Sequence, residues 1–405
     1  MKNFRFFIPA VCAAGAQTQG QHACGMLHIM RYPEFLKSNG KIGFIAPSFG
    51  CASLEPYHTR FKSALEYFES RGFSTVVGPN VYLEDGFGKS TSPKKCGEEI
   101  NDFFLNDKSD IIISAGGGET MCEDLSFVDF KSIAKAKPKW FLGYSDNTNL
   151  TFTLPTLCDT AAVYGPCASS FGMRPVHPYL NDAFDFICGK KTEFRNYEKW
   201  ETEGKACEEM PLATLNATEP FMLSAYCDGV YYHSSLSGND SLTGSNTGDK
   251  SCHAEYICES IDKVNFNFSG RMLGGCLDIL TILCGTKYDK VRDFNDRYAD
   301  DGVIWFLESC DLNSLSTLRS LWQLSEAGWF EKVKGFLIGR PMHYNENIMG
   351  LDCRDVTLQM LKKYNVPIVF DIDLGHLPPQ MPMVSGAIGD VKVAGNSISL
   401  QYILK

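Results

Sequence analysis

No apolar run in this 405-residue chain is long enough to cross a bilayer, and none of its 16 cysteines forms a C-x-x-C pair. The first absence excludes a transmembrane helix. The second leaves zinc ribbons and thioredoxin-like redox motifs without support. Basic charge is short as well: 38 Lys and Arg against 48 Asp and Glu give a net charge of −10, which argues against nucleic acid or an anionic membrane surface as the main partner. There is no internal repeat. What remains is a globular composition, 21% charged and 44% hydrophobic, long enough for two or three domains and acting on a small, locally recognised substrate. Cysteines such as Cys158, Cys276 and Cys284 lie in apolar segments, where a reduced thiol packs as a small core residue, so the set reads as the thiols of an intracellular, cytoplasmic protein.

The N-terminus has a different character. Lys2 and Arg5 precede a short apolar stretch, Phe6 to Ala16, that resembles a secretory signal but is broken by Pro9 and Gly15. Residues 1–29 are therefore expected to be a leader or a dispensable extension. From Lys41 onward, short apolar runs alternate with amphipathic helices. Strands are expected at Ile42–Ala46, Ser74–Val77, Asp110–Ser114, Trp140–Tyr144 and Ala161–Tyr164, and the first helix at Glu55–Arg71. Such alternation implies a parallel sheet covered on both faces, with polar residues gathered at the carboxyl ends of the strands. This is the N-terminal α/β domain, 30–180. Between 181 and 270 the pattern loosens into a linker and insertion. Regular alternation returns in a C-terminal domain, 271–405, with a strand at Val303–Leu307, a helix at Leu312–Ala327, a further helix near Val356–Tyr364, and two terminal strands.

Ser145 stands where the apolar run Phe141-Leu-Gly-Tyr gives way to polar, helix-starting residues. A sharp strand-to-helix turn presents a nucleophile beside the free N–H groups of a helix start. Asn147, however, occupies the second glycine position of a G-x-S-x-G elbow, and an ordinary helix-capping serine fits the same pattern. A serine nucleophile needs a base and an orienting carboxylate. His376, between Gly375 and two prolines, has the most suggestive setting among eight histidines, with His343 as rival and an inert loop residue as the plain alternative. Glu308 ends the most apolar strand of the second half; it is equally readable as a helix-capping acid. Ala115-Gly116-Gly117-Gly118-Glu119 is neither a dinucleotide nor a Walker loop, and offers backbone N–H groups or simply a tight turn.

Five blocks, taken in order, resemble the serine carboxypeptidase family (peptidase family S66) that contains the L,D-carboxypeptidases and the microcin C immunity peptidases. They are Gly43-Phe-Ile-Ala-Pro-Ser48; Gly116-Gly-Gly-Glu119; Phe141-Leu-Gly-Tyr-Ser-Asp-Asn-Thr-Asn-Leu150; Gly274-Gly-Cys-Leu-Asp-Ile-Leu280 with Gly285-Thr-Lys-Tyr288; and Phe306-Leu-Glu308 with Gly375-His376. The resemblance implies a flavodoxin-like N-terminal domain and a C-terminal swivelling β/β/α domain. It further implies Ser145 as nucleophile, His376 as general base, Glu308 as its orienting acid, and an oxyanion hole from the backbone of Asp146 with Gly117 or Gly118. No cofactor or metal is implied. Typical L,D-carboxypeptidases carry an Arg-Gly-Gly loop where this chain has Ala115-Gly116-Gly117-Gly118-Glu119, and the chain is longer near 181–270. Both departures point to the microcin-immunity-like branch. The expected substrate is a small peptide or aminoacyl nucleotide bearing negative charge, with Arg340 and Lys287 as candidate cations and Trp200 as a ring for stacking. A homodimer is compatible with this reading, and a two-domain protein that binds a peptide without cleaving it is the alternative.

Overall fold

The computed structural model describes residues 29–51, 55–86, 88–234 and 257–405. The proposed leader, apart from Ile29, and the Ser- and Gly-rich run from 235 to 256 lie outside the described residues. Five short parallel strands form the first sheet: β1 (Lys41–Ile45), β2 (Ser74–Val77), β3 (Ile111–Ser114), β4 (Phe141–Gly143) and β5 (Ala162–Tyr164). Their order, β2-β1-β3-β4-β5, is the flavodoxin order, with the switch point between β1 and β3. The three isoleucines of β3 are fully buried because helices cover both faces.

A sixth strand, Met383–Ser385, pairs antiparallel with β5 although it comes from the far end of the chain. The second sheet is larger and mixed, with ten strands. At its centre Asn265–Cys276, Val303–Glu308, Val333–Gly339 and Ile368–Ile372 run parallel; Ile388–Ala394 and Ile398–Ile403 extend it antiparallel. The helix Thr148–Cys158 lies in the core beside both sheets, with ten of its eleven residues buried. Its Phe152 stacks on Trp329 at 5.1 Å, and the Thr148 hydroxyl accepts the backbone N–H of Cys276 at 3.0 Å. One continuous apolar cluster therefore runs through the two sheets.

The chain is a mixed α/β protein, as expected, but the region 181–270 is more than linker. It supplies Glu193–Arg195, Ser224–Cys227, Val230–His233 and Ile257–Ser260 to the large sheet, along with the first half of Asn265–Cys276. These strands are mostly too short for alternation to register. Asp228 and Gly229, both at positive φ, make the two-residue turn between Ser224–Cys227 and Val230–His233; that Asp-Gly pair was the available hairpin signal. No helix among the described residues is long and apolar enough to cross a membrane, and the 13 described cysteines are free thiols.

Candidate active site

Ser145 follows β4 after the single residue Tyr144 and opens a single turn, Ser145–Asn147, before the helix Thr148–Cys158. Its φ of +63° is the strained conformation expected of a residue held out from a sharp reversal. Gly143 permits that reversal, since a Cβ there would come 2.9 Å from the Asn147 side chain. Asn147 explains the missing second glycine: its amide donates to the Gly116 carbonyl at 2.8 Å and to the Tyr144 carbonyl at 3.0 Å, tying the elbow to the glycine loop. Asp146 tightens the same junction. Its buried carboxyl accepts from the Ser48 hydroxyl, from the Met121 N–H at 2.9 Å and from Asn149 at 3.0 Å. Burial raises the pKa of that carboxyl, against these hydrogen bonds.

The glycine loop passes next to the hydroxyl. A Cβ on Gly117 would lie 3.5 Å from Ser145 Oγ, and one on Gly118, at φ +148°, would meet Ser48 Oγ at 2.0 Å. Side chains at these positions would occupy the space beside the nucleophile or clash beneath it.

His376 comes from the other sheet, on the loop after Ile368–Ile372. Its Nε2 lies 2.8 Å from Ser145 Oγ and its Nδ1 lies 2.8 Å from Glu308 Oε2. Its ring packs on Tyr144 at 5.3 Å. Glu308 ends its strand only 2% exposed, and its second oxygen accepts the Tyr164 hydroxyl from the end of β5. Burial by itself would push the Glu308 carboxyl up; the charge of His376, with hydrogen bonds from His376 and Tyr164, holds it below the usual value. For His376 burial pulls down, and the Glu308 carboxylate together with a hydrogen bond to Cys310 lifts it well above the usual imidazole value.

Three of the residues singled out in the sequence thus meet. The others fall elsewhere. Arg340 is 3% exposed, and its two terminal nitrogens hold the histidine loop: they donate to the carbonyls of Asp371 (2.9 Å) and Leu377 (3.1 Å) and pair with buried Asp373 at 2.7 Å. It is not free to receive a substrate anion. Trp200 packs beneath it, with the guanidinium 5.0 Å from the ring centroid, its edge against Tyr344, and its Nε1–H donating to the Pro220 carbonyl. Lys287 is exposed and sits 5.0 Å from the ring of its neighbour Tyr288. His343 pairs with Glu346 at 2.7 Å. The cations that do line a cavity beside His376, of about 170 Å³, are Arg60 and Lys205. Arg60 also donates to the carbonyls of Pro211 and Ala213, which anchors the segment covering that cavity. Arg340→Met would strand the Asp373 carboxylate in the interior, so we expect a loss of about 3–5 kcal/mol in a urea unfolding curve.

Comparison with known proteins brings independent findings. The family profile described as "LD-carboxypeptidase N-terminal domain" matches residues 42–165, and that described as "LD-carboxypeptidase C-terminal domain" matches 269–391. A Vibrio cholerae relative, whose carboxypeptidase name is itself an inference, is 22% identical over 92% of this chain and 98% of its own. The microcin C7 self-immunity protein MccF of Escherichia coli is 24% identical over 85% of this chain and 89% of its own. Among solved structures, an MccF-like protein from Bacillus anthracis superposes with a TM-score of 0.70 at 20% identity, covering 92% of this chain and all of that one. MccF in complex with glutamyl sulfamoyl guanosine gives 0.69 at 20% identity, covering 92% and 98%.

Proposed function

The chain belongs to the LD-carboxypeptidase family, and on that premise we propose that it is a serine carboxypeptidase whose nucleophile, base and orienting acid are Ser145, His376 and Glu308. The observation that carries the reading is the continuous relay from Glu308 through both ring nitrogens of His376 to the Ser145 hydroxyl, at 2.8 Å and 2.8 Å. Glu308 accepts a hydrogen bond from Nδ1–H, which keeps the proton there and leaves Nε2 with its lone pair toward Ser145. Nε2 takes the hydroxyl proton as Oγ attacks the amide carbon. The oxyanion that forms is received by the N–H of Asp146 and one from Gly117 or Gly118. The N–H of Ser145 is already given to Tyr164 at 3.1 Å, which supports assigning the donors to its neighbours. His376 then hands the proton to the leaving amine, an acyl-enzyme remains, and water activated by the same nitrogen releases it.

The substrate class we propose is an acyl amide near a free C-terminus, either a murein L,D-tetrapeptide losing its terminal D-alanine or an aminoacyl nucleotide of microcin type. The length shared with MccF, a protein solved with aminoacyl sulfamoyl nucleosides, favours the second. Arg60 and Lys205 supply the positive charge for either anion. The cytoplasm is the proposed compartment, on the reading of the cysteines as reduced thiols, and a homodimer the proposed assembly. Incubating the protein with a murein tetrapeptide and, separately, with an aminoacyl-sulfamoyl adenosine distinguishes the two. Turnover of neither, by a chain whose Ser145 is labelled by a serine-reactive probe, would leave the nucleophile standing and remove both substrates.

A pH dependence follows with a definite sign. His376 must lose its proton to act as base, so hydrolysis is expected to climb with pH through an apparent pKa above the ordinary 6.5. Stability runs the other way. The raised His376 contributes fully below 6.5 and less as pH rises through its folded value; the lowered Glu308 contributes above 4.5 and less as pH falls. The pair should therefore stabilise the fold most between these two values, where activity is low. Activity and urea midpoints measured over one pH series would check this.

A further inference from the structure

Tyr164 is the last residue of β5 and is fully buried, yet its hydroxyl does not merely satisfy itself. A phenol has one proton to give. Glu308, held as a carboxylate by His376, can only accept, so the Tyr164 proton goes to Glu308 Oε1. The phenolic oxygen then accepts the backbone N–H of Ser145 at 3.1 Å. The result is a closed ring of contacts: Ser145 N–H to Tyr164, Tyr164 to Glu308, Glu308 to His376, and His376 back to the Ser145 hydroxyl. Two members stand on the first sheet and two belong to the second. No other side chain on the described hydrogen-bond path joins the nucleophile's backbone directly to the acid.

We propose that Tyr164 is a positioning residue for the hydrolysis, fixing the Glu308 carboxylate so that only Oε2 faces His376 and locking the Ser145 backbone at the same time. This rests on the reading of Ser145, His376 and Glu308 as the relay. Tyr164 touches no substrate and acts through Glu308 and the Ser145 backbone. Its hydroxyl stabilises the charge on Glu308, so removing it makes the Glu308–His376 pair hold a proton more tightly, whichever partner carries it. The base is then free only at higher pH.

The test uses the full chain and a fluorophosphonate, which reports the reactivity of a serine without knowledge of the substrate. In Tyr164→Phe the second-order rate of Ser145 labelling at neutral pH should fall about 10-fold or more, and the acidic limb of the rate against pH should move up by about one unit. Glu308→Gln should lose more, and adding Tyr164→Phe to it should cost less than Tyr164→Phe costs alone, because the part of its role that acts through the carboxylate is already gone. Should Tyr164→Phe fail to fold, site-specific Tyr164→3-fluorotyrosine keeps the ring and strengthens the donor, and should move the limb to lower pH. Labelling of wild type and Tyr164→Phe at equal rates with superimposable pH profiles, or an unmoved limb in the fluorinated chain, would overturn the role of Tyr164. Absence of labelling at Ser145 in the wild-type protein would instead overturn the relay itself, and Tyr164's role with it.

Discussion

Ser145→Ala is expected to lower kcat for amide hydrolysis by about 10⁶-fold. Without Oγ there is no acyl-enzyme, and His376 Nε2 faces a methyl group in place of the proton it should take. Binding should be nearly unchanged, since the side chain is small and the cavity beside it is lined by Arg60, Tyr144 and Lys205 among others. His376→Ala should cost a similar factor, and the double variant little more, because the two groups perform one proton transfer. Steady-state kinetics on whichever amide the protein turns over would measure all three. Turnover persisting in Ser145→Ala at the wild-type rate would remove the nucleophile and, with it, the interpretation of the 2.8 Å contact.

Gly375→Ala should have the largest effect of any change outside the three relay residues, although the residue has no side chain and takes no part in chemistry. Gly375 has φ +101°, and a Cβ would come 2.7 Å from Glu308 Oε2 and 2.9 Å from Glu308 Cβ. Glu308 cannot retreat, being enclosed by Tyr164, His376 and its own strand. Either the acid or the histidine loop must shift by a fraction of an ångström, and misplacement on that scale costs about 10²-fold in kcat. A stability loss of about 1–3 kcal/mol should accompany it. Gly395→Ala provides the control: φ there is +56°, with nothing within 4 Å of the added carbon. It should show the backbone penalty alone, with kcat unchanged. Equal activity in both variants would mean that Glu308 and His376 tolerate displacement.

The contrast between these residues shows what a sequence can disclose. The first sheet was legible because each strand is a short apolar run between helices, and its ends lie within a residue or so of the expected ones, as at Ser74–Val77. Ser145 was visible because residue character changes abruptly there. Glu308 was balanced between an acid partner and a helix cap, and the group it contacts is a histidine 68 positions away, a distance over which local pattern carries no information. Arg340 misled for the same reason: its buried partner Asp373 and the carbonyls it holds are brought to it only by the fold. Tyr164 was read as the end of a strand, correctly, but which way its hydroxyl points depends on the second sheet packing against the first. Arg60, on a helix expected for its apolar face of Phe61 and Phe68, reaches the cavity by way of a segment assigned to a linker.

The strand Met383–Ser385 bears on how the protein is made. It follows His376 by only seven residues and closes the edge of a sheet whose other five strands were synthesised more than two hundred residues earlier. The loop carrying the base is thereby secured at both ends, to the large sheet before it and to the small sheet after it. A ribosome must pass the loop of His376, 231 residues beyond Ser145, before Ser145, Glu308 and His376 can meet, so on the proposed reading a shorter polypeptide has a nucleophile but nothing to activate it. Topology thus acts as a timer on the proposed relay, withholding it until the second sheet has been made.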